Sequence, residues 1–287
     1  MRLSTTNLLL ASDAGIDLQL HTTYSDGVWT PEQLIDHLVE EKFSLAAITD
    51  HDRLDTVAAL QQLAVEKHVP LLVAAEMSAS WQGGITDLLC FGFEVGPSAL
   101  RELSQTVLQK QQENTREVYE NLLRKGYTFQ GHPEALSAIL EKPGSQQPKE
   151  LVALLKTTGE ESAGKIVWEA GCTFMTNDLP EIVEAAHQSG AVCLLAHPGR
   201  KDGFITYDVE LLDKLRQEIP IDGLEVYYPA HTPEQTTMFL EYARRHNLLI
   251  SAGSDSHSPE KPPIKYPAEL SRSLLERLGI QILQSSQ

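Results

Sequence analysis

The sequence predicts an α/β fold built on a largely parallel β-sheet, either closed into a barrel or doubly wound. Short apolar runs recur along the chain, and most are followed by a segment with the periodicity of an amphipathic helix. Strands that alternate with helices favour parallel pairing, because each helix carries the chain back across the sheet. The length of 287 residues allows one large domain, or one domain that carries an insertion.

The predicted strands are residues 16–20, 45–49, 71–75, 87–93, 191–196, 223–227 and 248–252. Two predicted helices begin with the same capping sequence, which has an N-cap threonine, a first-turn proline and a capping-box glutamine. The two sequences are Thr30-Pro31-Glu32-Gln33 and Thr232-Pro233-Glu234-Gln235. Gly190 follows the predicted helix 179–189, where a glycine C-cap is expected.

One stretch breaks the alternation of strands and helices. Residues 99–125 have the pattern of one long polar helix, and another helix is predicted near 148–157. We therefore predict an α/β core formed by residues 1–97 and 178–287, with residues 98–177 as a mostly helical insertion.

Composition restricts the classes of partner. The net charge of −17 argues against duplex nucleic acid or an anionic membrane as the main partner. A small anionic substrate remains compatible, because bound cations can invert the local field. No apolar run approaches the ~20 residues of a membrane span, and Leu8-Leu9-Leu10 is too short for a signal-peptide core, so a cytoplasmic location is expected. Cys90, Cys172 and Cys193 are predicted to be buried reduced thiols.

Potential metal ligands collect where the predicted strands end. In the first strand, Leu18 and Leu20 share one face, whereas Asp17, Gln19 and His21 share the other. His21 and Asp26 follow that strand. Later strands are followed by Asp50, His51 and Asp52, by Glu76, by His197, by His231, and by Asp255 and His257. In an α/β barrel the carboxyl ends of the strands form the face that carries the active site.

The residue types indicate the chemistry. Histidine with aspartate and glutamate, without cysteine, suits Zn²⁺, Mn²⁺ or Fe²⁺. Several such clusters suggest more than one ion, and paired ions suit phosphoester hydrolysis because they polarise a phosphoryl oxygen and acidify a bound water. Each motif alone also has a structural interpretation: His197-Pro198 as a turn, residues 253–257 as a capping loop, and Glu76 as one half of an ion pair. Their shared position at strand ends favours the metal site.

These residues, in this order, resemble the polymerase-and-histidinol-phosphatase (PHP) family. The resemblance covers residues 17–27, 49–52, 76, 196–200, 223–235 and 253–257. It is closest to the stand-alone branch with a helical insertion, which includes nucleoside 3′,5′-bisphosphate phosphatases and oligoribonucleotide 5′-exonucleases. It implies a distorted (β/α)₇ barrel and a site for two or three divalent metal ions.

The resemblance also implies three metal subsites. The first would use Gln19, His21, Glu76 and Asp255; the second Glu76, Asp87 and His197; the third Asp26, His51 and His257. The family usually has histidine at the positions of Gln19 and Asp87. The neutral carbonyl of Gln19 should weaken the first subsite, and Asp87 offers a harder ligand to the second. The third subsite is intact in sequence.

Substrate contacts follow from the same resemblance. Relatives carry an Arg-Pro-His motif in the insertion, where this chain has Gln147-Pro148-Lys149. Lys149 and Arg116 are therefore the expected substrate-binding cations of the insertion. Arg200 is expected to hold substrate oxygens, and His231 to bind the phosphate or donate a proton to the leaving oxygen.

The leading hypothesis is a metal-dependent phosphoesterase that hydrolyses a small phosphomonoester, with a nucleoside 3′,5′-bisphosphate or an oligoribonucleotide 5′ end as candidates by resemblance. The first alternative is a binding or regulatory protein with impaired catalysis, suggested by Gln19, Asp87 and the altered insertion motif. The second is a polymerase-associated proofreading exonuclease, which the negative charge and the lack of a polymerase region disfavour. The sequence predicts no oligomeric state.

Overall fold

Strands and helices alternate through most of the computed structural model, which describes residue 5 and residues 7–283. The strands are β1 (Leu9–Leu10), β2 (Gly15–Leu20), β3 (Leu45–Ile48), β4 (Leu71–Leu72), β5 (Ala74–Trp81), β6 (Gly84–Phe91), β7 (Asn177–Asp178), β8 (Val192–Leu195), β9 (Gly223–Tyr227), β10 (Leu249–Ala252), β11 (Tyr266–Pro267) and β12 (Gln281–Ile282). The α-helices are α1 (Pro31–Glu40), α2 (Val57–Glu66), α3 (Ala99–Arg124), α4 (Ala135–Leu140), α5 (Gln147–Lys156), α6 (Ala163–Glu169), α7 (Leu179–Gln188), α8 (Val209–Glu218), α9 (Pro233–Arg245) and α10 (Arg272–Arg277), with 3₁₀ helices at Gly144–Gln146 and Ala268–Ser271.

The chain divides into two compact units. The first comprises Met1–Leu103 with Asn177–Gln287, and the second comprises Ser104–Thr176. The first unit contains the strands, and the second contains α4, α5, α6 and most of α3. The domain boundaries near residues 98 and 177 stay a prediction.

Within the first unit, strands follow one another around a ring. Among the described residues its order is β2, β3, β5, β6, β8, β9 and β10. A bridge between His51 and Glu76 joins the end of β3 to β5, and a bridge between Leu20 and Ser256 joins the end of β2 to the loop after β10. The prediction of a distorted (β/α)₇ barrel is confirmed, and the two bridges that close the ring lie among its candidate metal ligands.

The sheet is less parallel than the simple alternation suggests. β5 and β6 form an antiparallel hairpin, and β6 is also antiparallel to β8. The turn is made by Gln82 and Gly83, with φ of 50° and 81°, the left-handed pair that suits a two-residue hairpin. The predicted strands 71–75 and 87–93 therefore had wrong limits, because Glu76 lies inside β5 and β6 begins at Gly84.

This reversal places Asp87 at the functional end of the barrel. The carboxyl ends of parallel strands meet at one rim, whereas an antiparallel strand reaches that rim with its amino-terminal half. Asp87 lies in the first half of β6, and its carbonyl accepts a hydrogen bond from the Ala196 amide, directly before His197.

Successive side chains of the strands point to opposite faces of the sheet, and each face packs into its own apolar layer of the first unit. Leu89, Phe91 and Leu194 belong to one buried cluster, whereas Leu88, Cys90, Cys193 and Leu195 belong to another that includes residues of α7, α8 and α9. The buried cysteines agree with the sequence prediction, and Cys90, Cys172 and Cys193 are all free thiols.

The second unit has its own apolar core. Val118 and Leu122 of α3 pack with Leu151 and Leu155 of α5 and with Val167 of α6. Across the described residues of both units, no helix combines the length and the apolar character that crossing a bilayer requires.

Candidate metal centre

Glu76 lies at the middle of a group of histidines and carboxylates at the rim. Its Oε2 atom is 3.0 Å from His21 Nε2 and 3.8 Å from His51 Nε2, and its Oε1 atom is 3.1 Å from His197 Nε2. The carboxylate is fully buried in β5. Three imidazoles that enter from different strands therefore meet around one carboxylate.

We call the first part of this group the histidine side, which consists of His21, Asp26, His51 and His257. Asp26 Oδ1 is 3.2 Å from His257 Nε2, 3.9 Å from His51 Nε2 and 4.0 Å from His21 Nδ1. The His21 ring stacks on those of His257 and His51, with centroids 4.2 and 4.8 Å apart. Asp255 joins the group through its Oδ1 atom, 3.2 Å from His21 Nε2.

The second part, the Asp87 side, consists of Gln19, Glu76, Asp87 and His197. His197 Nε2 lies between the two carboxylates, 3.1 Å from Glu76 Oε1 and 3.7 Å from Asp87 Oδ2. The Gln19 amide nitrogen donates to both oxygens of Glu76, at 3.1 and 3.0 Å. This side contains one imidazole, where the histidine side contains three.

Gln19 faces Glu76 with the atom that cannot bind a metal. Its Oε1 atom is buried and has no hydrogen-bond donor. A half-turn of the amide would exchange the two atoms, and ligation by Gln19 requires that flip. The predicted ligation stays a prediction.

The carboxyl groups of the rim have pKa values that shift in opposite directions. Burial would raise the pKa of Glu76, but His51, His197 and His21 hold it well below its usual range. Burial and the neighbouring Glu76 charge raise the pKa of Asp87 well above normal. Burial would also raise the pKa of Asp26, but His257, His51 and His21 lower it. Opposite shifts in neighbouring carboxyl groups mark a functional site.

Two candidate ligands have strained backbones. His197 and Asp255 have φ of 28° and 54°, the left-handed region that residues with side chains rarely adopt. Such conformations cost about 1–3 kcal/mol each and persist where the surrounding structure enforces them. Gly253 permits the close approach of the Asp255 loop, because a Cβ there would lie 2.5 Å from Gln19 Cβ and 2.6 Å from Glu225 Oε1.

Three buried carboxylates outside the predicted ligands hold the loops that carry them. Asp50 Oδ1 accepts from the Thr22 amide and the Ser25 hydroxyl, both at 2.7 Å. Asp17 accepts from the Ser254 and Ile264 amides, and Glu225 accepts from the His197 amide, each at 2.9 Å. In the sequence, Asp17 and Asp50 are indicated by their positions close to His21 and His51. Glu225 is indicated only as a polar residue that alternates with apolar residues in a buried strand.

Arg200 faces the acidic rim. Burial lowers the pKa of its guanidinium, but Asp255, Tyr228, Asp87 and Glu76 raise it overall. The guanidinium carbon lies 4.2 Å from the centre of the Phe204 ring, which fixes the plane of the group. Tyr228, which the sequence did not single out as functional, places its hydroxyl 3.5 Å from Asp255 Oδ2.

His231 has neither ring nitrogen available for a substrate. Its Nδ1 lies 3.0 Å from the Val226 carbonyl, and its Nε2 accepts from the Gly199 amide at 3.0 Å. Burial lowers the pKa of His231 to about 4, so the ring is neutral near pH 7. In this arrangement His231 positions the loop that carries Arg200, and its predicted roles as proton donor and phosphate ligand would require both hydrogen bonds to break.

The remaining predicted substrate residues belong to the second unit. Arg116 on α3 and Lys149 on α5 are exposed. Their neighbours have structural roles there: Asn114 donates to the Gly171 carbonyl at 2.9 Å, and Gln147 accepts from Thr115 Oγ1 at 2.8 Å. The substrate contacts of Arg116 and Lys149 stay predictions.

The rim residues fit divalent cations. Three groups have ligand atoms within 4.8 Å of one another: His21, Asp26, His51 and His257; His21, Glu76 and Asp255; and His51, Glu76 and Asp87. Asp87 Oδ2, like Gln19 Oε1, is buried without a hydrogen-bond donor. Buried polar atoms without hydrogen bonds are costly, and imidazole with carboxylate is the donor set of Zn²⁺, Mn²⁺ and Fe²⁺.

Comparison with known proteins gives relatives of similar length. A 3′,5′-nucleoside bisphosphate phosphatase from Chromobacterium violaceum is 26% identical over 260 residues, covering 86% of this chain and 88% of the relative. A 5′-3′ exoribonuclease from Salmonella typhimurium is 26% identical over 258 residues, covering 85% of each. A phosphoribosyl 1,2-cyclic phosphate 1,2-diphosphodiesterase from Eggerthella lenta is 27% identical over 252 residues, covering 84% and 93%.

Solved structures share the fold. An amidohydrolase from Chromobacterium violaceum superposes with a TM-score of 0.74 at 23% identity, covering 93% of this chain and 96% of its own. A structure from Bifidobacterium adolescentis superposes with a TM-score of 0.73 at 24% identity, covering 92% and 96%. The family model of the PHP domain matches residues 17–160, half of the chain. This protein therefore belongs to the PHP domain family.

Proposed function

We propose that this PHP-family hydrolase cleaves a small phosphomonoester at the rim that contains the histidine side and the Asp87 side. The observation that carries the proposal is the convergence on Glu76 of His21, His51 and His197, which come from three separate parts of the chain. A fold alone would not require polar side chains to meet in this way, because buried imidazoles and carboxylates cost free energy unless they are paired or bind metal.

The metal ligands are proposed as two or three subsites for Mn²⁺, Zn²⁺ or Fe²⁺. Asp26, His51 and His257 would hold the best-preserved subsite, and His21, Glu76 and Asp255 would hold another with Gln19. Glu76, Asp87 and His197 would hold the remaining subsite. When bound, such ions polarise phosphoryl oxygens and lower the pKa of water.

Arg200 is the proposed phosphate-binding residue of the first unit. Its guanidinium stays charged, is oriented by Phe204, and lies in the field of Asp255, Asp87 and Glu76. A planar guanidinium can donate two parallel hydrogen bonds to phosphate oxygens. His231 supports this residue indirectly, because it binds the Gly199 amide next to it.

The proposed substrate class is a nucleotide with a terminal phosphate, either a nucleoside 3′,5′-bisphosphate or the 5′ end of a short oligoribonucleotide. Two relatives with these activities each match at least 85% of the chain. The charge of −17 favours a short substrate over a long nucleic acid, because each additional phosphate would meet a negative surface.

A second candidate is a binding or regulatory protein on the same scaffold. Its support is Gln19, whose amide nitrogen occupies both oxygens of Glu76. If this hydrogen-bonded arrangement persists with metal present, the first subsite would stay empty and turnover could be lost while phosphate binding remains.

The two candidates are separated by one experiment on the full chain. Protein loaded with Mn²⁺ is incubated with a nucleoside 3′,5′-bisphosphate, a 5′-phosphorylated trinucleotide, a nucleoside 5′-monophosphate and a 2′,3′-cyclic nucleotide, and released phosphate, nucleotide products and bound metal are measured. We expect phosphate release from the bisphosphate, or release of phosphate or a mononucleotide from the trinucleotide, with at least two ions bound.

Two controls accompany the screen: Arg200→Ala, which should raise KM, and a chelated sample, which should be inactive. Fewer than two ions, with no hydrolysis of any of the four compounds, would favour the binding protein.

A further inference from the structure

A second cluster of ligand-type side chains lies away from the rim. It consists of His187 at the end of α7, Cys193 in β8, and Asp222 directly before β9. One ligand atom from each, a ring nitrogen, the sulfur and a carboxylate oxygen, all lie within 4.8 Å of one another.

This cluster is at the opposite end of the barrel strands. Cys193 is the second residue of β8, and His197 follows the other end of the same strand. Four residues of extended chain span roughly 13 Å, so the two sites share no ligand. Asp222 likewise precedes β9, whereas Tyr228 at the rim follows it.

The three side chains are held in place before any ion binds. Asp222 Oδ2 is 2.8 Å from His187 Nε2 and accepts from the Cys193 amide at 2.7 Å. The Asp222 amide donates to the Cys193 carbonyl at 2.9 Å. The backbone of β8 therefore fixes the carboxylate beside the sulfur, and the last turn of α7 brings the imidazole to the same point.

We propose that Cys193, His187 and Asp222 bind a zinc-class divalent cation. Thiolate, imidazole and carboxylate are the ligands that Zn²⁺ takes in proteins, and three protein ligands leave one position for an outside ligand. His187 and Asp222 line a cavity of about 620 Å³, through which an outside ligand can reach the fourth position. Arg277 lines the same cavity, which favours an anion such as hydroxide or chloride at the fourth position.

The site would tie a helix to two strands. The cation would link the end of α7 to β8 and to the start of β9, where His187 and Asp222 are the partly exposed members and Cys193 is buried. Because such an ion binds the folded chain and not the unfolded one, its binding should raise the melting temperature.

Cys90 provides a matched control. It lies directly opposite Cys193 in the β6–β8 pair and belongs to the same buried cluster. The Cys193 amide and carbonyl both bond to Asp222, on the side away from β6, so the two cysteines form a non-hydrogen-bonded pair with side chains close together. The Cys90 and Cys193 thiols are hydrogen-bonded to each other, but Cys90 is absent from the group of ligand atoms that converge with His187 and Asp222.

The test uses Co²⁺ as a spectroscopic substitute for Zn²⁺. Metal-stripped, reduced full-length protein is titrated with Co²⁺, and the thiolate-to-cobalt charge-transfer band in the near ultraviolet is recorded. The rim ligands contain no sulfur, so this band reports the Cys193 site whatever ions the rim binds and whatever the enzyme hydrolyses. We expect the band to saturate at one equivalent, and Zn²⁺ to displace it.

Variants of single residues show which side chains produce the charge-transfer band. Cys193→Ser should abolish it, and His187→Gln should weaken Co²⁺ binding at least tenfold, whereas Cys90→Ser and Cys172→Ser should retain it. His187 is 35% exposed, so His187→Gln decides the question if Cys193→Ser does not fold. No band in the folded parent protein, a band that persists in Cys193→Ser, unchanged affinity in His187→Gln, or loss in Cys90→Ser would overturn the proposal.

Discussion

The two sides of the rim contrast in the chemistry of their ligands. On the histidine side, His21, His51 and His257 surround a single carboxylate, Asp26, and their rings stack on one another. On the Asp87 side, two carboxylates flank a single imidazole, His197, and the Gln19 amide donates to one of them, Glu76. Imidazole-rich sites favour Zn²⁺ and Fe²⁺, whereas oxygen-rich sites favour Mn²⁺. The rim should therefore bind its ions with unequal affinity and unequal preference.

The two sides also differ in the groups that shift the pKa of their buried carboxylates when no metal is bound. Asp26 is balanced by three histidines that lower its pKa. For Asp87, burial together with Glu76 raises the pKa, and the opposing effect of Arg200 does not reverse this. Gln19 presents an amide that donates hydrogen bonds to Glu76, so these hydrogen bonds partly stabilise the buried carboxylate, as a bound cation would.

Removal of a histidine-side ligand should have the largest effect. We expect His257→Ala or His51→Ala to release one ion and to lower kcat/KM by about 100-fold or more, because even changes to groups that only orient metal ligands cost 10–100-fold. Bound metal is counted by mass spectrometry, and phosphate release is measured on the best substrate from the screen.

The exposed His132 in the second unit supplies the matched control, since His132→Ala should keep both metal content and rate. Full retention of the ion in both rim variants would remove His51 and His257 from the proposed ligands.

Introduction of an imidazole on the Asp87 side should have the next largest effect. Gln19→His replaces an amide donor with a ring nitrogen that can bind metal, so we expect affinity for the weakest ion to rise 10–100-fold. If catalysis is limited by that ion, the rate should rise at low Mn²⁺ and converge with the parent at high Mn²⁺. Metal titration by calorimetry measures the change, with Gln19→Leu as the control that cannot bind. Equal affinity in both variants would contradict the placement of a subsite at Gln19.

The smallest effect is expected at His231, outside both sides. His231→Gln should reduce the free energy of unfolding at pH 7 by about 1–3 kcal/mol, because buried hydrogen bonds to Gly199 and Val226 are disturbed. The folded-state pKa of about 4 lies below the ordinary 6.5. The parent therefore keeps this stabilisation above pH 6.5 and loses it as the pH falls toward 4.

Urea unfolding at pH 7 and pH 5 measures the free energy of unfolding at each pH. We expect the parent to be less stable at pH 5 through His231, and the His231→Gln variant to lack this loss. The pH–rate profile provides the second measurement for His231. Loss of one limb of the parent profile in His231→Gln would show a proton donor and not a positioning residue.

Much of the site could be predicted from sequence because its signal is local. Alternation puts Asp17 and Gln19 on one face of β2, and His21 directly follows that strand. His51 and His197 come within three residues of the ends of strands that apolar runs reveal. The capping boxes at Thr30 and Thr232 are present as predicted, since they depend on four consecutive residues. The resemblance then related these separate motifs to one barrel.

The sequence by itself determined where most strands lie and which residue types gather near them, but not the limits of β5 and β6, because period-two alternation and capping are properties of short segments. Only the tertiary structure decided the partners: the reversed β6 that brings Asp87 to the rim, the amide of Gln19 turned toward Glu76, the two backbone bonds that occupy His231, and the meeting of Cys193 with His187 and Asp222. These depend on strand direction and on contacts between residues far apart in the chain, which no local pattern encodes.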